Sequence, residues 1–591
     1  MRSPALLALA LAGTAAAVNG SAHCHCQPSQ PCWPSPDAWN RLNASLSGRL
    51  VALRPVAAVC HDPDYDAAAC AQLQANSNNS AFLAAQPGAL QWENWAAWPA
   101  RGQQCYVETG RSVPCGQGRI PLYSAQVESV EDIQTTVRFA AANNIKLTIR
   151  NTGHSFLGQS SAPNSLQIDT SRLNSISIVD SWTPQLPPGV HGPPPQGVPA
   201  ATFGAGVQMH GAYTALNKAG RIIAGGSSST VGVAGGFLQG GGHGILGHLA
   251  GMGSDNALEF TVVTANGSVV TANSYQNQDL FWALRGGGGG TWGVVVNATV
   301  KTYPDYPVTA ASIGFTTAQP SAAYWAGVEA CNAHLVSLND QGATGYYYIT
   351  PYSQVSANST VATFNLYLFF VNQTDTGFVN RTLAPMLAAM QQATGIAPTV
   401  DIGTVPTMTS LMLSIFPGAD SDGYLVLLGS RLLSRSFLGS STGPAKMAQT
   451  FQRLGLQPME YIQGLLVAGG QVAANAGVVD SALNPAWRTA ALHLIFIRAW
   501  MANMPLATQN VLAQKITNVD MPLLEALEPG PMAAYPNEAN AYQPNFQQVF
   551  WGDNYPRLYK IKQAVDPTNL FISRLGVGSE DWDDDGACRR H

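Results

Sequence analysis

The chain has 591 residues, too many for one hydrophobic core, and reads as two or more domains with ample length to enclose a large cofactor. Apolar residues make up 46% and charged residues only 11%, with a net charge of −5, so the chain is globular and offers no basic face for nucleic acid. Small partners of low charge fit such a surface, and past the N-terminus no apolar run is long enough to mark a membrane span.

Arg2, the apolar residues 5–12 and the small residues Ala15 and Ala17 have the three-part layout of a secretory signal, cleaved after Ala17 or Ala22. Residues 1–22 are therefore expected to be a signal peptide, and the mature chain to be extracellular. Acceptor sequons at Asn43, Asn78, Asn266, Asn297, Asn358, Asn372 and Asn380 are then plausible glycan sites. Residues 23–115 form a Cys-, Pro- and Trp-rich irregular arm that looks structural. Its cysteines are Cys24, Cys26, Cys32, Cys60, Cys70, Cys105 and Cys115, with Cys331 and Cys588 beyond. Oxidising conditions make disulfides the default. Cys60 to Cys70 and Cys105 to Cys115 are the pairs expected to close short loops, and an odd total leaves at least one thiol over.

From Tyr123 regular structure is predicted: a strand at 123–128, a helix at 130–142 with Glu131 and Asp132 in its first turn, and a strand at 146–149. Strands follow at 166–169 and 176–179, then a Pro-rich insertion at 182–199, a strand at 201–207 and a helix at 209–219. Asn266-Gly267 between two β-branched runs signals a hairpin. A helix at 278–284, a tight glycine turn at 286–290 and a strand at 292–300 close a domain spanning 116–306. Residues 307–530 alternate β-rich stretches, such as 345–349, 363–370 and 492–500, with helical ones. The closing segment, 531–582, ends in a helix at 556–564, and 583–591 is an acidic, solvated tail.

Two stretches carry the chemistry. Ile149-Arg150-Asn151-Thr152-Gly153-His154-Ser155 turns out of a strand with backbone amides, a guanidinium and an imidazole together. Gly225-Gly226-Ser227-Ser228-Ser229-Thr230-Val231-Gly232, followed by Gly235, allows a second backbone to approach closely. Such a site suits a large phosphate-bearing cofactor. Gly242-His243-Gly244-Ile245-Leu246-Gly247 has the spacing of a dinucleotide fingerprint, but no clean β-α-β unit surrounds it.

On these motifs the chain resembles, from about Cys24 to Trp582, the flavin oxidases with a p-cresol methylhydroxylase type FAD domain (the vanillyl-alcohol oxidase superfamily). Within them it is most similar to the berberine-bridge-enzyme-like branch and its secreted fungal isoamyl-alcohol-oxidase-like members. The resemblance implies an α+β fold, with a two-part FAD-binding domain, a substrate domain built on an antiparallel sheet flanked by helices, and a C-terminal return to the flavin domain. It implies FAD linked covalently through His154, with Arg150, Asn151, Thr152, Gly153 and Ser155 around the pyrophosphate and with Thr230, Val231, Gly232 and Gly235 against the cofactor. Many relatives carry a second flavin-linking cysteine where this chain has Ser228, so a single link is expected. Valine at Val231 is the oxygen-permitting residue in the family. Asn537, Asn554 and Tyr555 would approach the ring system. The family's glutamate base has no counterpart here; Asp480 and Tyr555 are the candidate catalytic bases, ahead of His243 and Glu538. The expected reaction is hydride transfer from a small-molecule alcohol or hydroxylated secondary metabolite to FAD, with O2 as acceptor giving H2O2. A carbohydrate oxidase is the alternative enzyme, and an inactive secreted flavin-binding or structural glycoprotein the alternative outside enzymes.

Overall fold

The structure is a computed structural model that describes residues 24–189, 195–356 and 359–590. The expected signal peptide, the sequon at Asn358 and part of the Pro-rich insertion lie outside the described residues. Among the described residues no helix is long and apolar enough to cross a membrane.

Three main sheets organise the chain. The first orders Leu50–Ala52, Tyr123–Gln126, Leu166–Asp169 and Leu147–Arg150. Leu166–Asp169 runs parallel to both of its neighbours, while Leu50–Ala52 joins the edge antiparallel. The crossover between parallel strands is the helix Val130–Ala142, which begins at a capping box of Ser129 and Asp132 and buries Ile133, Val137 and Ala140 at helical spacing. The second sheet is antiparallel, in the order Ile176–Trp182, Val198–Gly204, Val294–Lys301, Ala257–Val263, Val269–Asn273. Its hairpin turns at Asn266-Gly267, where Gly267 has φ +76°.

The third sheet carries seven antiparallel strands in the order Thr399–Val405, Val308–Thr317, Ser359–Val371, Ala343–Ser356, Ile462–Leu466, Ala490–Trp500, Leu425–Ser434. Helices Ala322–Asn332, Thr376–Thr394 and Gly443–Leu454 pack together beside it. Register aligns Tyr346, Leu465, His493 and Leu432 in one row across four strands, and Tyr348, Gln463, Ile495 and Ser430 in a second row two residues along. Side chains two apart share a face, so Tyr346, Tyr348, Gln463 and His493 project from the same side.

The acidic tail is a correction. Rather than standing in solvent, Asp583 accepts from the amides of Ala587 and Cys588, Asp585 pairs with Arg119 at 2.8 Å, and Cys588 is bonded to Cys24. The other pairs are Cys26–Cys32, Cys60–Cys70 and Cys105–Cys115, and the remaining thiol is the buried Cys331.

Candidate active site

Strand Leu147–Arg150 ends at the edge of the first sheet, and the chain then turns through Gly153, whose φ of +85° favours glycine. Among the described residues no protein acceptor meets the amides of Thr152, Gly153, His154 or Ser155. Four successive free N–H groups at a turn form a nest for an anion. The turn is braced from behind by the N-terminal arm: Trp92 Nε1 donates to the His154 carbonyl at 3.0 Å, Trp95 Nε1 to that of Phe156 at 3.1 Å, and Gln91 Nε2 to that of Thr152 at 3.2 Å.

Arg150 departs from expectation. Its guanidinium is 1% exposed and engaged on all three nitrogens: Nε with Ala89 O at 2.9 Å, Nη1 with Asp169 at 2.6 Å, and Nη2 with the carbonyls of Leu83 and Ala84. It ties the arm to the sheet instead of meeting a phosphate. Asn151 Nδ2 bonds Thr170 Oγ1 and Ala205 O, leaving its buried Oδ1 unpartnered. That oxygen lies where a Cβ on Gly232 would sit, at 1.7 Å, and 3.0 Å from one on Gly235, so neither glycine tolerates a side chain. Ser155 Oγ accepts from the Gln159 amide at 3.1 Å.

The segment from Gly225 to Gly235 passes directly over this turn. Thr230 Oγ1 lies 2.6 Å from His154 Nε2. Ser228 Oγ donates to Asp420 Oδ2 at 2.8 Å, and Asp420 also receives the Ser229 amide at 3.2 Å. Val231 is partly buried, its carbonyl accepting from Met209 N. His154 Nδ1 faces Asp422 Oδ2 at 3.6 Å, beyond hydrogen-bonding reach. Burial drives the His154 pKa down to about 4, with Asp420 opposing the shift. Burial and then Asp420 push that of Asp422 up to about 7.

A second buried cluster lies farther along the same glycine-rich wall. His243 Nε2 and His493 Nε2 both donate to Glu538 Oε2, at 3.0 and 2.9 Å. With each Nε2 turned to the carboxylate, each Nδ1 points away from it, and both Nδ1 atoms are buried and without a partner among the described residues. Burial opposes ionisation of Glu538, yet His243 and then the imidazole hydrogen bonds outweigh it and hold the carboxyl far below its usual range. Burial holds His493 below the usual imidazole value, against Glu538. Tyr535 Oη accepts from Gly242 N and Asn537 Nδ2, leaving its own hydrogen to donate, and its ring packs edge-on to His243 at 5.2 Å. Asn537 also donates to Gly236 O at 2.8 Å.

The two residues expected to act as base, Asp480 and Tyr555, lie outside this cluster. The Asp480 side chain is 78% exposed and bonds Trp282 Nε1 and Arg557. Tyr555 Oη is held by Glu580 and the Gly578 amide, and Asn554 Nδ2 by Leu483 O. These three tie chain segments together. His493, Tyr535, Asp420 and Asp422 were not expected. His493 could have been noticed as a single imidazole inside the apolar run from Leu492 to Phe496.

The residues fit a flavin dinucleotide. Free amides at 152–155 suit a pyrophosphate, while Asn151 Oδ1 and Gln239 Oε1 are buried acceptors with no donor among the described residues.

Comparison with known proteins agrees. Residues 121–273 match the FAD binding domain family and residues 534–578 the berberine and berberine-like family. The chain is 44% identical, over the full length of both, to an uncharacterized FAD-linked oxidoreductase of Arthroderma benhamiae. It is 39% identical to the FAD-linked oxidoreductase malF of Malbranchea aurantiaca, covering 96% of this chain and 94% of that one. Among solved structures, the flavoprotein MtVAO615 of Myceliophthora thermophila superposes with TM-score 0.84 at 31% identity over 96% of this chain and all of that one. A glucooligosaccharide oxidase of Acremonium strictum, titled for its 6-S-cysteinyl, 8α-N1-histidyl FAD, shares the fold at TM-score 0.62 and 20% identity, over 77% of this chain and 91% of that one. The chain is an FAD-dependent oxidoreductase and belongs to the vanillyl-alcohol-oxidase-type FAD-linked oxidoreductases, in their berberine-bridge-enzyme-like branch.

Proposed function

We propose that the protein is a secreted oxidase that takes a hydride from an alcohol or a hydroxylated secondary metabolite, passes it to FAD held covalently on His154, and returns the electrons to O2 as H2O2. The observation that carries the alcohol reading is the His243–Glu538–His493 cluster. It presents two unpartnered Nδ1 atoms in a buried setting, and burial favours the neutral form of His493, the form suited to removing a hydroxyl proton as hydride leaves the adjacent carbon. When bound, FAD supplies the hydride acceptor. The chain's own residues do the rest. Glu538 fixes both imidazole tautomers, Tyr535 has an O–H left to donate to the substrate oxygen, and Tyr346 and Tyr348 on the sheet face offer aromatic surface to an apolar substrate. Ser228, standing where many relatives place a cysteine, fits a single flavin link, and Val231 fits reaction with O2.

The test is anaerobic mixing of the purified holoprotein with a panel of aliphatic, benzylic and polycyclic alcohols and reducing sugars, following loss of flavin absorbance. An alcohol that bleaches the wild type should bleach His493→Asn on the order of 10²–10⁴-fold more slowly. Bleaching by sugars alone, or an unchanged rate in His493→Asn, would reject the reading.

A further inference from the structure

Outside the cluster that handles substrate, one group of buried polar side chains has no part in the reaction proposed above: Thr230, Asp420 and Asp422 around His154. Asp420 and Asp422 come from the segment 418–424 of the substrate domain, which is pinned to the N-terminal arm at several points and to the flavin domain at Ser229. The Asp420 amide donates to Ser80 Oγ at 2.7 Å, its carbonyl accepts from Ser80 N at 3.1 Å, and Gly423 N donates to Gln91 O at 2.8 Å. Asp422 N donates to Asn78 O at 3.2 Å and Gly418 N to Ser229 Oγ at 3.3 Å. A domain that needed only to cover the cofactor would not have to send a carboxylate into this turn.

The hydrogen bonds fix the protons. Asp420 Oδ2 accepts from Ser228 Oγ, and Thr230 Oγ1 donates to the same oxygen at 3.5 Å. A hydroxyl that turns its hydrogen to this carboxylate accepts from His154 Nε2, 2.6 Å away, and that is the arrangement the proposal takes. In that arrangement the ring proton sits on Nε2 and Nδ1 carries the lone pair. The opposite tautomer would leave a buried N–H at Nδ1 facing Asp422 Oδ2 at 3.6 Å, too far to bond, and that carboxyl oxygen is itself buried without a partner.

We propose that Asp420 and Thr230 form a proton relay that prepares His154 for covalent attachment of FAD, with Nδ1 as the attacking atom. The proposal rests on His154 being the attachment residue. In the step, a bond forms between Nδ1 and the methyl carbon at the flavin 8-position while one C–H bond of that methyl breaks. The ring system gains the electron pair and passes it to dioxygen. The Nε2 proton moves through Thr230 to Asp420, and with the methyl proton it leaves on H2O2. Thr230 and Asp420 are positioning residues, acting through His154.

The test measures covalent attachment, not turnover. Full-length wild type, Thr230→Val, Thr230→Ser, Asp420→Asn and His154→Ala are purified, and total flavin is compared with the flavin that stays in the acid-precipitated pellet and fluoresces in a denaturing gel. Thr230→Val keeps the shape of the side chain, so it should fold, and of the flavin it binds the linked fraction should fall about tenfold or more; Thr230→Ser should restore linkage, and Asp420→Asn should behave as Thr230→Val. Linked flavin in Thr230→Val equal to wild type, with His154→Ala unlinked, would overturn the relay and leave the attachment site standing. Wild type and His154→Ala releasing all their flavin alike would overturn the attachment reading and the relay with it.

Discussion

Glu538 holds two imidazoles by a single oxygen, and that settles where the protons around it can sit. A carboxylate accepts only, so both Nε2 atoms must donate, and the basic positions of His243 and His493 face away from it. Burial lowers the pKa of His493 while Glu538 raises it. A base that must be neutral to act stays neutral to a pH below the usual imidazole value of about 6.5, so the acid limb of kcat should lie below that pH. In Glu538→Gln the group that raises the His493 pKa is gone. The limb should move further toward acid, and kcat should fall about 10–100-fold because an uncharged amide oxygen holds the two imidazoles less firmly than a carboxylate. A pH–rate profile in which Glu538→Gln keeps the wild-type limb and kcat would remove Glu538 from the mechanism. That His243 and Glu538 stood only as lesser candidates in the sequence, and His493 not at all, has a physical cause. His243, His493 and Glu538 lie hundreds of residues apart at the extremes, and only the register of the seven-stranded sheet and the C-terminal return bring them together, whereas His154 and its turn are contiguous in the chain and were legible directly.

At the scale of elements, the N-terminal arm does more than staple the surface. The short helix Glu93–Ala96 places Trp92 and Trp95 against the carbonyls of His154 and Phe156, so its stability bears on the cofactor turn. Glu93 within it accepts from Val107 N at 2.8 Å. Burial first, and Glu108 second, push its pKa up to about 8, against the Val107 amide. A carboxyl whose folded pKa lies above its unfolded value of about 4.3 binds more protons when folded between those two pH values, so stability falls as pH rises from the lower to the higher and is flat on either side. Glu93→Gln keeps the acceptor and removes the titration. Urea midpoints at pH 5 and pH 8.5 should therefore fall less in the variant than in wild type, and parallel falls would show that Glu93 ionises freely. Elements with local signals were legible: the helix Val130–Ala142 from its acidic first turn and apolar spacing, the hairpin from Asn266-Gly267, the final helix Tyr555–Val565 to within a residue. The arm's role was not, because irregular Trp-rich chain has no periodicity to read and its indoles act through carbonyls on a distant turn.

Over the whole molecule, the two ends of the described chain meet. Cys24 and Cys588 are joined across 564 residues, the amide of His25 donates to Ala587 O at 2.8 Å, and the His25 ring stacks on Trp582 at 5.1 Å. Between them run the buried ammonium groups of Lys562, which donates to Thr291 O, Phe571 O and Asp566, and of Lys146, which donates to Ile572 O. The C-terminal return that carries Tyr535, Asn537 and Glu538 is thus fastened to the first sheet by the tail that follows it. Closing so large a loop restricts the unfolded chain, and losing a native disulfide of this kind costs about 2–5 kcal/mol. Cys24→Ala/Cys588→Ala should unfold at lower temperature. If closure of the ends holds the return in place, the variant should also lose non-covalently retained flavin, after His154→Ala has removed the link, faster than the same background with the disulfide intact. Equal flavin loss with a lowered melting temperature would limit the disulfide to global stability and leave the packing of Lys146 and Lys562 as what secures the return.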